Sequence, residues 1–170
     1  MGSPSDEEFT HFAAFSWPSL YRTAFLLLGN HADAEDLVQT ALAKTYSGWG
    51  RLRDLEAAGA YARTTLINTA SSWFRRRGWR NEIPTEEVPD FARDSDPSLR
   101  PAIQDALRAL TPRQRAVIVA RFYLDLDVRQ TAHALGCSEG TVKSQTSLAL
   151  TRLRPHLAPE LPSTERARHD

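Results

Sequence analysis

The chain has 170 residues, 41% of them apolar, and its 21 basic and 21 acidic side chains leave no formal net charge at pH 7. That length and apolar content allow one medium domain or two small ones with real cores and exclude a disordered or fibrous chain. Neutrality argues against a simple polyanion binder, and no apolar run nears the ~20 residues of a membrane span. The acidic start at Asp6, Glu7 and Glu8 is unlike a signal peptide, so a cytoplasmic protein is expected. The single cysteine, Cys137, rules out an internal disulfide and a cysteine-based zinc site, and reads as a small filler beside Gly136.

Phe9, Phe12, Phe15, Leu20, Phe25 and Leu28 recur at helical spacing up to Gly29-Asn30, with Pro18 expected to kink or divide the helix near Trp17. A second helix is predicted from Ala32 to Trp49. Ala34, Leu37, Val38, Ala41, Leu42 and Trp49 lie on one side of it, and Glu35, Asp36, Gln39, Ala43 and Tyr46 on the other. A loop running to Gly59 precedes a third helix ending near Arg77. There Ala62, Leu66, Ile67, Ala70, Trp73 and Phe74 form an apolar face opposite Tyr61, Thr64, Thr65, Asn68, Ser71, Ser72, Arg75 and Arg76. Short hydroxyls, an amide and arginines suit phosphates and base edges better than the Glu and Lys of an ordinary solvated face. Residues 81–100, with Pro84, Pro89, Pro97 and an acidic cluster, read as an extended linker.

Thr111-Pro112-Arg113-Gln114 starts a helix: threonine caps, proline takes the first position, and glutamine reaches back. Asp127-Val128-Arg129-Gln130 repeats the logic for a short helix ended by Gly136. Ser138 caps the next helix, expected to stop at Pro155. Val142, Thr146, Ala149 and Leu153 face inward along it. Gly140, Thr141, Ser144, Ser147, Leu148 and Thr151 face outward, with Lys143 and Gln145 on the flanks. Short helix, glycine turn and a helix with a small polar face form a helix-turn-helix, whose second helix enters the major groove. Lys143, Arg152 and Arg154 can meet phosphates there, and Gln145 an adenine edge. The expected fold is all-α, two small helical domains: 6–80 and 101–158, with a tail at 159–170.

Over roughly Glu8 to Leu157 these residues resemble the bacterial sigma factors, specifically the extracytoplasmic-function group that retains regions two and four, and its actinobacterial sigma-E-like branch. Asp33-Ala34-Glu35-Asp36-Leu37-Val38-Gln39 is similar to the family's polymerase-binding helix. Tyr61-Ala62-Arg63 through Asn68-Thr69-Ala70 to Arg75-Arg76-Arg77 is similar to its −10 helix, and Ser138 through Ser144 to its −35 recognition helix. The resemblance implies that Asp33, Glu35, Asp36 and Gln39 meet the clamp helices of the largest polymerase subunit, with the flap of the second-largest subunit a further contact. It implies that Tyr61, Thr64, Asn68, Ser72, Arg75 and Arg76 hold the −10 element, and that Gly140, Thr141, Lys143, Ser144, Gln145, Ser147, Leu148 and Arg152 hold the −35 element. The loop from Gly50 to Gly59 corresponds to one that captures a flipped-out base. Promoter DNA and core RNA polymerase are the implied partners, and the family often has an anti-sigma factor. Gln145 and Leu148 depart from the arginines many relatives carry; Leu148 packs either on a thymine methyl or on a protein partner.

The competing reading is a stand-alone helix-turn-helix regulator, which leaves the Asp33–Gln39 and Asn68/Arg75 faces unused. An enzyme is not expected. No nucleophile–base pair, phosphate-binding glycine loop or metal-ligand cluster is present in the sequence, His11, His31, His133, His156 and His169 are scattered, and no cofactor is implied.

Overall fold

The computed structural model describes residues 5–76 and 100–157, all of whose regular elements are helical. Arg77, Arg80, the expected linker apart from Arg100, and the expected tail lie outside the described residues.

Helix α1 spans Asp6–Leu28. Ser5 accepts from the Glu8 amide at 3.2 Å while Glu8 accepts from the Ser5 amide at 2.6 Å, a reciprocal cap whose acidic first turn also suits the helix dipole. Pro18 does not divide this helix. The carbonyl it leaves without a donor belongs to Ala14, an exposed residue, so water can take the place of the missing amide. Gly29, at φ 76°, ends the helix, and Asn30 caps α2, His31–Ser47. That helix is shorter than expected, because Trp49 belongs to a separate 3₁₀ turn, Trp49–Arg51. Helix α3 covers Leu55–Arg76.

The second set begins with α4, Pro101–Arg108, which the sequence reading had not singled out, although Pro101 stands at its first turn. Helix α5, Pro112–Ile118, continues into a π-helical turn, Val119–Tyr123; α6 is Val128–Leu135 and α7 is Glu139–Leu157. Both expected capping boxes are present, at Thr111/Gln114 and at Asp127/Gln130. Pro155 lies inside α7 rather than at its end: in the last turn its missing N–H removes one bond only, and its fixed φ is helical.

One apolar cluster runs from Phe12, Leu27, Leu37, Leu66 and Phe74 in the first helices into Val117, Ala132 and Val142 in the last four. A smaller one, built on Ala106, Leu110, Ile118, Ala149 and Leu153, holds α4, α5 and α7 together. Buried hydroxyls at Thr23, Thr45 and Thr69 donate to the carbonyl four residues earlier, so they enter the core without an orphaned donor.

Candidate nucleic-acid interface

Asp54 accepts the Ala57 amide at 2.8 Å and so starts α3 at Leu55; the loop expected to reach Gly59 ends at Asp54, and Gly59 lies within the helix. The apolar face is buried as the periodicity requires, at Ala62, Leu66, Ile67, Ala70 and Phe74, with Trp73 half-buried. Tyr61, Thr64, Asn68, Arg75 and Arg76 are exposed and Ser72 half-buried, and their spacing of three and four residues makes a single stripe. Ser71 departs from expectation. It is 1% exposed and its hydroxyl donates to the Leu135 carbonyl at 2.9 Å.

In the helix-turn-helix, Gly136 adopts φ 65° at the end of α6, and Ser138 Oγ accepts the Thr141 amide at 3.1 Å to open α7. Val142, Ala149 and Leu153 are buried. Gly140, Lys143, Ser144, Ser147, Leu148, Thr151 and Arg154 are exposed, while Thr141, Gln145 and Thr146 are half-buried. Arg152 is also half-buried and donates to the Ala109 carbonyl at 3.4 Å, so part of its guanidinium serves the packing of α7 on the α4–α5 connection.

On α2, Glu35, Asp36 and Gln39 stand exposed opposite the buried Ala34, Leu37, Val38 and Ala41. Asp33 differs from these three. It is half-buried, its amide donates to Asn30 at 2.8 Å, and its carboxylate accepts from the Asn30 side-chain amide at 2.8 Å, which makes it part of the helix start.

Residues 17–80 match the family model described as sigma-70 region 2, and residues 100–153 match that of sigma-70 region 4. The RNA polymerase sigma-E factor of Streptomyces coelicolor is 40% identical over 153 residues, covering 88% of this chain and 86% of that one. The chain belongs to the sigma-70 family. It acts as a promoter-directing RNA polymerase sigma factor, and the reading as a stand-alone regulator is not favoured. The extracytoplasmic-function sigma factor SigM of Mycobacterium tuberculosis is 33% identical over 135 residues, 79% of this chain and 69% of its own. Among solved structures, the sigma factor RpoE of Bartonella quintana, crystallised with the anti-sigma factor NepR, is similar at a TM-score of 0.62 with 28% identity, over 91% of this chain and 99% of that one. The family is not in general one of catalysts. Among the described residues no cluster of His, Cys, Asp and Glu could hold a metal ion, and no helix is long and apolar enough to cross a membrane.

The sigma factor also carries a cavity of about 630 Å³ that the sequence did not disclose, between the first half of α1 and the start of α3. Phe12, Phe15 and Ser19 form one wall, and Leu52, Arg53 and Leu55 the other. Phe15, one of the apolar residues that recur at helical spacing along α1, is 87% exposed at this opening. Trp49, edge-on to Phe9 at 5.2 Å, lines the same cavity, and its buried indole N–H has no acceptor among the described residues.

Proposed function

We propose that the sigma factor divides its contacts among three surfaces. Glu35, Asp36 and Gln39, with Asp33 fixing the start of their helix, engage the clamp helices of the largest polymerase subunit, and the C-terminal helices engage the flap of the second-largest. Tyr61, Thr64, Asn68, Ser72, Arg75 and Arg76 take the −10 element. Gly140, Thr141, Lys143, Ser144, Gln145, Ser147 and Leu148 take the −35 element, with Arg152 limited to a phosphate contact by its bond to Ala109. The single observation that carries this reading is the α3 stripe: amide, hydroxyl and guanidinium groups exposed along one face of a helix whose other face is core.

The cavity beside α3 supports capture of one unstacked base. Phe15 offers a ring face for stacking, and the unpaired Trp49 N–H is a donor that a base carbonyl can satisfy after a small shift. The work is binding and positioning, with no catalytic step of its own, in the cytoplasm where polymerase and promoter meet. An anti-sigma factor is a fitting further partner.

Transcription in vitro with core enzyme on genomic fragments, with start sites mapped, tests the whole reading. Asn68→Ala is expected to cut initiation about tenfold or more, the worth of a good base contact, while leaving core binding intact. Glu35→Lys with Asp36→Lys should abolish core binding. Failure of the wild-type chain to bind core would overturn the proposal.

A further inference from the structure

Leu148 is a large apolar side chain, 53% exposed, on a helix face made otherwise of small polar residues. At 3.6 residues per turn, Thr141, Ser144, Leu148 and Thr151 fall within about 80° of one another, on the side of α7 away from the buried Val142, Ala149 and Leu153. Thr141 and Leu148 are separated by about 10.5 Å along the axis, which is roughly three base-pair steps of a duplex. The leucine therefore addresses different base pairs from those met by the capped start of the helix.

The surroundings of Leu148 decide what it can read. Its neighbours on the helix surface are the residues three and four positions away, Ser144, Gln145, Thr151 and Arg152. The Ser144 hydroxyl donates to the Thr141 carbonyl at 3.1 Å, and the Thr151 hydroxyl to the Ser147 carbonyl at 3.0 Å. A hydroxyl has one proton, so both groups turn only acceptor lone pairs to an incoming ligand. Arg152 is drawn to the Ala109 carbonyl at 3.4 Å, and Gln145 is half-buried on the flank. Around Leu148 the face is apolar or accepting, and poor in donors.

Bases differ in what they show such a face in the major groove. Guanine offers the acceptors N7 and O6, which need donors such as arginine; cytosine offers an amino group and no methyl. Thymine alone offers a methyl group, and its partner adenine an amino donor. We propose that Leu148 reads the 5-methyl group of one thymine in the −35 element, and that the Ser144 and Thr151 oxygens accept from adenine amino groups beside it, so that this position selects A·T over G·C. The inference rests on the assignment of α7 to the −35 element given above. It sets the leucine apart in chemistry from an arginine at the same position, which would favour guanine.

Deoxyuridine differs from thymidine only in lacking that methyl group. The thymines of a mapped −35 element are therefore replaced by deoxyuridine one at a time, and promoter binding is measured with core polymerase and the full-length chain. With the wild-type chain, one replacement should weaken binding about fourfold, the worth of burying one methyl-sized group. Leu148→Ala, a change at an exposed site, should weaken binding to the thymine fragment by a similar factor and be indifferent to that same replacement, the non-additivity that direct contact produces. Leu148→Arg should move the preference at that pair towards G·C. Wild-type binding unchanged by every replacement, or a −35 element without thymine, would overturn the inference. So would a Leu148→Ala loss that is equal on thymine and deoxyuridine fragments, which would assign the leucine to a protein partner. A wild-type complex that leaves the upstream element open to nuclease would instead overturn the −35 assignment, and this inference with it.

Discussion

Replacing Arg115 separates two opposed effects in the region that carries the helix-turn-helix. Its side chain is 2% exposed, and it donates to the Leu107 carbonyl near the end of α4 through Nε at 3.1 Å and Nη2 at 2.6 Å. Burial, with Arg108 adding repulsion, pushes its pKa down to about 10. A fall of that size from the ordinary arginine value corresponds to about 3 kcal/mol of penalty on the charged form. The bonds to Leu107 return about 1.5–3 kcal/mol, so the charge nearly breaks even. Arg115→Met keeps the stem and removes the charge with its two bonds, while the Leu107 carbonyl still accepts the Leu110 amide at 3.2 Å; it should unfold within about 1 kcal/mol of wild type. Arg115→Ala also deletes the buried stem and leaves a cavity, and should lose about 2–4 kcal/mol. Urea denaturation followed by circular dichroism reads both. If Met proves as damaging as Ala, the hydrogen bonds dominate and the balance argued from burial is wrong.

Gly136→Ala forces a Cβ into the left-handed region and against Arg75, and should cost about 1–2 kcal/mol in thermal unfolding. Tyr46 donates to Asp6 at 2.6 Å, and that bond, followed by the Asp6 charge, raises its pKa. The contact between α2 and the start of α1 is therefore fully present below pH 10 and lost as pH climbs through the raised value, which a phenolate absorbance titration would follow. With Lys143 and Arg154 the exposed basic groups of α7 and Arg152 partly engaged, −35 binding by the free chain should be weak and fall about tenfold between 50 and 200 mM salt, for about two phosphates neutralised. A slope near zero, or one several times steeper, would contradict that assignment.

What the sequence disclosed well is whatever is settled within a few residues. The Thr111 and Asp127 capping boxes, the Gly136 turn, the Ser138 cap and the buried faces of α2 and α3 all follow from side chains acting on the backbone of their own helix. Pro18 and Pro155 misled for a physical reason: proline interrupts a helix only when the carbonyl it strands cannot find water or the missing bond is needed. Helix α4 was legible in principle, since Pro101 is followed by Ile103, Ala106, Leu107 and Leu110 at helical spacing. Ser71, Arg152 and Phe15 were not. Ser71 belongs to the polar stripe by its angle and is buried only because another domain lies on it; Arg152 is partly used up by a carbonyl 43 residues away; Phe15 has an apolar identity but faces the mouth of a cavity. Positions whose surroundings come from distant parts of the chain carry no local signal.

The zero net charge follows from opposed surfaces rather than from the absence of any. Helix α2 presents Glu35 and Asp36, suited to a basic partner, and α3 presents Arg75 and Arg76, suited to phosphates. The carboxylates oppose a duplex wherever it comes within the roughly 8–10 Å screening length, so a chain built this way gains little DNA affinity from its total charge. On the proposed division of contacts, a polymerase surface that covers the carboxylates removes that opposition and leaves the arginines. Promoter affinity then belongs to the assembly.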